Sequence, residues 1–332
     1  MNHSGSFSDD PLGAAPAATW VIGDGAAGTR AQGLALAEAV GLPYRLHELR
    51  KVELPMPPSL QRFLPAALLL RRAEIDPRPS GPWPRLVISV GKRSAPIALA
   101  VKRASAGSAF AVHIHDPKLP LRLFDLVAVP EHDGVTGENV IPTHGSLHAV
   151  TPEKLAHAAR HFADSIDPLP HPRIAVLLGG KSRAFDFPAE LGRDLGRKLA
   201  AMAKETGGSL LVTPSYRTPD ETFAALRAEI GGIPSVIYAG DGENPYLAFL
   251  AAADAIVVTQ DSVNMVTEAA GTGKPLYVQP LPGRSKRLGR FHAKMREDGI
   301  TRPFEGRLEN WTYPPVRDTD KVAAAIRRRL GV

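Results

Sequence analysis

The sequence predicts an α/β protein built as two Rossmann-like domains facing each other across a cleft. Three observations predict it. Short, wholly apolar runs of strand length alternate with helical stretches on both sides of the middle of the chain. Those runs end in polar or glycine-containing turns, as the strands of a buried parallel sheet do at their carboxyl ends. Between the two series lies Asp167-Pro-Leu-Pro-His-Pro172, a stiff proline-studded segment that reads as a linker. The expected division is a disordered tail over 1–17, rich in Ser, Gly, Ala and Pro, a first domain over 18–166, a second over 173–316 and a terminal helix over 317–332. With 332 residues, 44% of them hydrophobic, the chain has the apolar surface for two cores.

In the first half, Thr19–Gly23 reads as a strand and Asp24-Gly-Ala-Ala-Gly28-Thr29 as a turn. A helix to Val40 and a strand over Tyr44–Leu49 follow. Gly25 and Gly28 allow a ligand close to the backbone, but the dinucleotide spacing Gly-x-Gly-x-x-Gly is absent. A proline-rich stretch then surrounds one apolar helix, Leu60–Ala73, edged by Arg62, Arg71 and Arg72. That face suits either packing on the sheet or an anionic membrane surface. Strands over Leu86–Val90, Ala109–His115 and Leu126–Val129 carry Lys92-Arg93, Asp116 and Glu131-His132-Asp133 at their carboxyl ends, where an α/β enzyme keeps its reactive groups. One amphipathic helix spans Pro152–Ser165.

The second half restarts the pattern with a strand over Arg173–Leu178, the turn Gly179-Gly180-Lys181-Ser182, a helix over Glu190–Gly207 and a strand over Ser209–Val212. The turn lacks the upstream glycine of a P-loop, so ATP hydrolysis is not indicated. Thr213-Pro214-Ser215 and Arg217 close the next strand, and Arg217 has the geometry to pair a phosphate bidentately. Asn244, with Pro245, opens an apolar helix to Ala253. Ala255–Thr259 is the next strand, and Asp261-Ser262 opens a helix over Val263–Ala270 that carries Asn264, Met265 and Glu268. The first amides of a helix are unpaired and electropositive, so this turn suits a phosphate. Glu268 lies one turn beyond Asn264 on the same face, placed to accept both hydroxyls of a ribose. The run from Arg284 to Arg296 reads as a basic loop near the same edge, and Asp318–Leu330 as a last amphipathic helix.

Composition excludes several chemistries. The chain has no cysteine, which removes disulfides, cysteine–zinc sites, iron–sulfur clusters and thiol nucleophiles. A net charge of +6 and a pI near 9.6 fit anionic ligands. Nucleic acid is disfavoured, because the basic run has little aromatic interleaving and matches no nucleic-acid module. No apolar run reaches bilayer-spanning length and no secretion signal is present, so a cytoplasmic protein is expected, with peripheral membrane contact through the Leu60–Ala73 helix as an option.

The order Asp-Ser, helix with Glu, Gly-x-Gly-Lys-Pro, strand resembles the nucleotide-sugar half of glycosyltransferases with the GT-B architecture. More closely, the chain resembles bacterial members of the mitochondrial-fission family named after the plant "elongated mitochondria" protein. The matching pieces are Trp20–Asp24 to Gln32-Gly33, Ser89–Ser94, Pro130–Asp133, Asn139–Gly145, Thr213–Ser215, Gly242–Pro245 and Asp261-Ser262. The resemblance implies a nucleotide sugar or nucleoside diphosphate held by Gly180, Lys181, Ser182, Thr213, Ser215, Arg217, Asn244, Asp261, Ser262, Asn264, Met265 and Glu268. It implies no cofactor or metal, and sugar transfer to an acceptor such as a lipid-linked or envelope glycan. The general base is sought in the first domain, at Glu131, His132 or Asp133, with Asp24 on the same rim. The alternative is a non-catalytic scaffold acting through a protein partner or a membrane surface, since the family's name comes from recruiting a dynamin-type fission protein.

Overall fold

The computed structural model describes residues 18–54, 56–79 and 82–332; the stretch 1–17, expected to be a disordered tail, lies outside them. The chain forms two compact units, one of residues up to Ala128 with Gly137–Val140 and Ala323–Val332, the other of Val129–Thr136 and Ile141–Val322.

The first unit opens with β1 (Thr19–Gly23), α1 (Ala27–Val40) and β2 (Tyr44–Val52). Then come α2 (Pro58–Gln61), α3 (Ala66–Arg72), β3 (Ala73–Asp76), β4 (Leu86–Val90), α4 (Ala95–Ala104), β5 (Phe110–Ile114), β6 (Leu126–Pro130) and β7 (Val140–Thr143). The sheet runs β3-β2-β1-β4-β5-β6-β7, with β3 antiparallel to β2 at the edge. Strand order reverses between β1 and β4, which places the turns after Gly23 and Val90 side by side. Val21, Ile22, Val87, Ile88 and Val112 are fully buried, as a parallel sheet covered on both faces requires. The helix expected over Leu60–Ala73 is instead two short helices broken at Pro65, because proline cannot donate to the preceding turn, and Ala73 already belongs to a strand.

The second unit contains α5 (Pro152–His161), α6 (Ala163–Ile166), β8 (Arg173–Leu178), α7 (Ala189–Thr206), β9 (Ser209–Pro214), α8 (Asp220–Ile230), β10 (Ser235–Ile237), α9 (Tyr246–Ala252) and β11 (Ala255–Thr259). It continues with α10 (Val263–Ala270), β12 (Leu276–Gln279), α11 (Lys286–Glu297) and β13 (Thr301–Pro303). Its six strands stand in the order β10-β9-β8-β11-β12-β13, every pair parallel. Side chains alternate strictly: Ala175 and Leu177 face one core with Phe249, Val266 and Phe291, while Ile174, Val176 and Leu178 face the other with Phe187, Leu195 and Tyr277. Each Val, Leu, Ile or Phe side chain so buried contributes about 1.5–3 kcal/mol. Because β9 and β10 lie to one side of β8 and β11 to the other, the crevice of this sheet opens at the carboxyl ends of β8 and β11.

Two sequence expectations change here. The division between units falls before Asp167–Pro172, since α5 packs on α9 and buried Ile166 joins the second unit's core. The basic run after Gly283 is helix α11, not a loop: Ser285 caps it, accepting from the Leu288 amide at 3.2 Å, and buried Phe291, His292 and Met295 make its core face. The last helix, α12 (Asp318–Leu330), starts in the second unit and ends in the first. In the first unit Arg85 donates to Leu330 O at 2.9 Å and Arg329 to Asp125 O at 2.6 Å.

Candidate functional site

The loops at the carboxyl ends of β8, β9 and β11 are tied together by one carboxylate. Asp261 is buried; its Oδ2 accepts from the Gly180 amide at 3.0 Å and lies 2.7 Å from Arg217 Nη2, and its Oδ1 accepts from Thr259 Oγ1 at 2.7 Å. Thr259 Oγ1 in turn accepts from the Gly179 amide at 2.7 Å. Thr218 Oγ1 donates to Leu178 O at 3.0 Å, and the Lys181 amide donates to Arg217 O at 3.1 Å. The approach is so close that a Cβ on Gly180 would collide with Arg217 O, so only glycine fits. Arg217, expected to pair a phosphate, therefore has a protein carboxylate as its partner.

Ser262 caps α10 as expected, accepting from the Met265 amide at 3.3 Å. The amides of Val263 and Asn264 are left without intrahelical partners at this end. Ser182 Oγ accepts from the Ala184 and Phe185 amides, Ser215 Oγ from the Arg217 amide at 3.2 Å, and Thr213 is buried. These three hydroxyls shape turns. Asn244 is not a helix cap: Oδ1 accepts from the Tyr246 amide at 3.0 Å, but the helix begins at Tyr246 with Pro245 in the cap position. Lys181 is well exposed, with Asp186 at 4.0 Å.

Glu268 is half-buried and accepts from the Tyr246 hydroxyl at 2.5 Å. Burial pushes its carboxyl up to about 7, against the partial relief of that hydrogen bond. Nearby, Lys274 Nζ donates to Leu250 O at 2.8 Å, and burial brings it down to about 8. Along α10 runs a segment whose role the sequence reading missed, Gly145–His148. Ser146 Oγ donates to Asn264 Oδ1 at 2.5 Å and the Ser146 amide to Thr267 Oγ1 at 3.3 Å.

The Glu131–Asp133 turn was expected on the first domain's rim as the source of the base. It belongs to the second unit, held on α11. Asp133 takes both Arg287 Nε at 2.5 Å and Nη2 at 3.0 Å, Arg290 Nε donates to His132 O at 2.9 Å, and Lys294 lies 4.0 Å from Glu131. His132 is buried edge-on against Phe291, ring centroids 5.3 Å apart. Burial brings its imidazole down to about 4, with Arg287 adding to the effect. Buried against Phe291 and weakened in basicity, the ring is placed as a packing group of this turn. In the first unit Asp24 accepts from Thr29 Oγ1 at 2.5 Å and packs against Gly91, where φ is +85° and a Cβ would collide with Asp24 Oδ2.

Three further groups ring the second unit's edge, of which the sequence reading named only Arg284, as the start of the basic run. The loops after β8 and β12 are bridged at Phe185 and Gly283, which brings Arg183 and Arg284 to this edge. Neither has an ion-pair partner among the described residues. Tyr216, after β9, is 93% exposed.

The model of the family "Mitochondrial fission ELM1" matches residues 27–330. The chain belongs to that family. Mitochondrial fission protein ELM1 of Arabidopsis thaliana is 33% identical over 274 residues, which is 74% of this chain and 64% of the plant protein. The chain thus spans less than two thirds of that relative.

Among solved structures, this ELM1-family chain is similar to the UDP-GlcNAc 2-epimerase of Methanocaldococcus jannaschii. The TM-score is 0.56 at 11% identity, over 95% of this chain and 99% of that one. It is also similar to a variant of Os79 from O. sativa in complex with UDP, with a TM-score of 0.53 at 14% identity, over 94% and 90% of the two chains. These likenesses show the fold, two Rossmann-like α/β domains of the GT-B-like class. Among the described residues no helix of the ELM1-family chain is long and apolar enough to cross a membrane.

Proposed function

We propose that the second unit binds the diphosphate of a nucleotide sugar at the carboxyl edge of β8 and β11, and that the chain is a GT-B-like glycosyltransferase. The observation that carries this reading is the Ser262-capped start of α10, with two spare amides, beside the Gly179–Ser182 loop on a rim bearing Lys181, Arg183 and Arg284. Amides and cations preset around a diphosphate stabilise it as a leaving group without needing a metal. Glu268 turns from Tyr246 to the ribose hydroxyls, and Tyr216 offers a face for the base. Asp261 does not touch the ligand; it holds the three loops in the geometry that does. Of the carboxylates expected as the base, Glu131 and Asp24 remain, since Asp133 is spent on Arg287.

The likeness to proteins whose names carry UDP supports UDP as the first probe. Thermal melts with a panel of nucleoside diphosphates test the proposal. A rise in melting temperature with one of them, lost in Lys181→Ala with Arg284→Ala, is expected by mass action. Indifference to the whole panel ends it.

A non-catalytic scaffold is the second reading. The observation favouring it is the use of Asp133 and His132 as structural groups in the very turn expected to supply the base. A protein that binds UDP but never turns over UDP-sugars, with or without acceptors, would belong to this reading.

A further inference from the structure

We infer that the first unit carries a second anion site, built for the headgroup and upper acyl region of an anionic phospholipid. Beside α4 lies a cavity of about 660 Å³ with two kinds of wall. One is apolar, with Phe63, Leu99 and Leu123; the other is cationic, with Arg62, Arg103 and Arg122. A fourth cation, Lys102, is already neutralised by Asp125 at 2.8 Å. The three arginines have no carboxylate partner among the described residues. Two of them are held in place: Arg103 Nη1 donates to Arg62 O at 2.8 Å, and the Arg62 guanidinium sits 4.5 Å above the Phe63 ring.

Three unneutralised guanidiniums in one pocket repel one another unless an anion joins them. A free phosphate would satisfy the charges but not the greasy wall. Phe63 is 70% exposed and Leu60, on the neighbouring α2, is 50% exposed, an arrangement that costs free energy in water and gains it in acyl chains. The break of the helix at Pro65 presents these two side chains at a corner instead of burying them along a continuous face. Charge and grease meeting at one pocket fit a lipid with an anionic headgroup, at a membrane surface that the chain touches without crossing. The nucleotide edge of the second unit plays no part in this site.

Flotation of the full chain with phosphatidylcholine vesicles, and with vesicles containing phosphatidylglycerol, at low and high salt tests the inference. The chain should float only with the anionic vesicles and be released by high salt. Arg62→Ala and Arg122→Ala should each weaken partitioning about fivefold, and Phe63→Ser should weaken it while preserving the salt dependence. Melting curves check that the variants are folded, and their response to nucleoside diphosphates should match the parent's. Failure of the parent chain to float with anionic vesicles overturns the inference. So does flotation of the folded arginine variants at parental strength, which would place the membrane contact elsewhere, and so does flotation of folded Phe63→Ser at parental strength, which would leave only surface charge.

Discussion

Arg217 Nη2 and Asp261 Oδ2 are 2.7 Å apart, and the aspartate side chain has no exposure at all. Asp261 follows β11 and Arg217 follows β9, so this pair fastens two strand ends across the intervening β8. The same carboxylate accepts from Gly180, which follows β8. Three loops are thus fixed by one side chain.

Asp261→Ala should cost about 3–5 kcal/mol, because it strands a guanidinium and two donors in a desolvated site. Asp261→Asn keeps an acceptor for the Gly180 amide and should cost less. Urea denaturation of both variants checks this; equal losses would mean that charge alone matters, not the amide bond.

Glu268 gives a pH dependence of definite sign. Its carboxyl is raised from 4.5 to about 7, so between those values the folded state keeps a proton that the unfolded chain has released. Stability should therefore fall as pH rises through that window, by at most about 3 kcal/mol. Glu268→Gln should remove this contribution, and melts from pH 4.5 to 8 compare the two proteins directly.

Two histidines near the same core should behave oppositely. His132 is brought down to about 4 and should show no titration in NMR spectra between about pH 5 and 8. His144 is raised, first by its hydrogen bond to Asp318, with Nδ1 3.1 Å from Oδ2. Its contribution to stability is full below the ordinary histidine value and is lost as pH rises through the raised one. Asp318→Asn should lower the His144 midpoint and leave His132 silent.

The parts of this protein that could be read from its sequence are those whose signal is local. Val258 and Thr259 belong to an apolar run that forms a strand in any α/β context, and Ser262 caps whatever helix follows it. The Glu131–Asp133 turn was located correctly at a strand end, yet its attachment was not legible. That attachment depends on Arg287, 154 residues beyond Asp133, and on Phe291, both in a run read as a solvated loop. The period was there, in Leu288, Phe291, His292 and Met295, but Lys286, Arg287, Arg290, Lys294 and Arg296 interleaved with it masked it. Arg217 shows the converse: its type suited a phosphate, and only the fold reveals that Asp261 holds it.

The ribose assignment rests on a competition that Tyr246 makes measurable. The Tyr246 hydroxyl donates to Glu268 Oε2, so a ribose must displace that bond to reach the carboxylate. Glu268→Ala removes the acceptor and should weaken the nucleoside diphosphate by about 1–3 kcal/mol. Tyr246→Phe removes the competitor but leaves the carboxylate half-buried and without its donor, which a ribose hydroxyl then replaces. Its affinity should therefore equal or exceed that of the parent chain. Calorimetric titration of the three proteins separates the possibilities by sign. Weakening in both variants would mean that the Tyr246–Glu268 pair supports the site as a unit, and unchanged affinity in both would move the ribose away from α10.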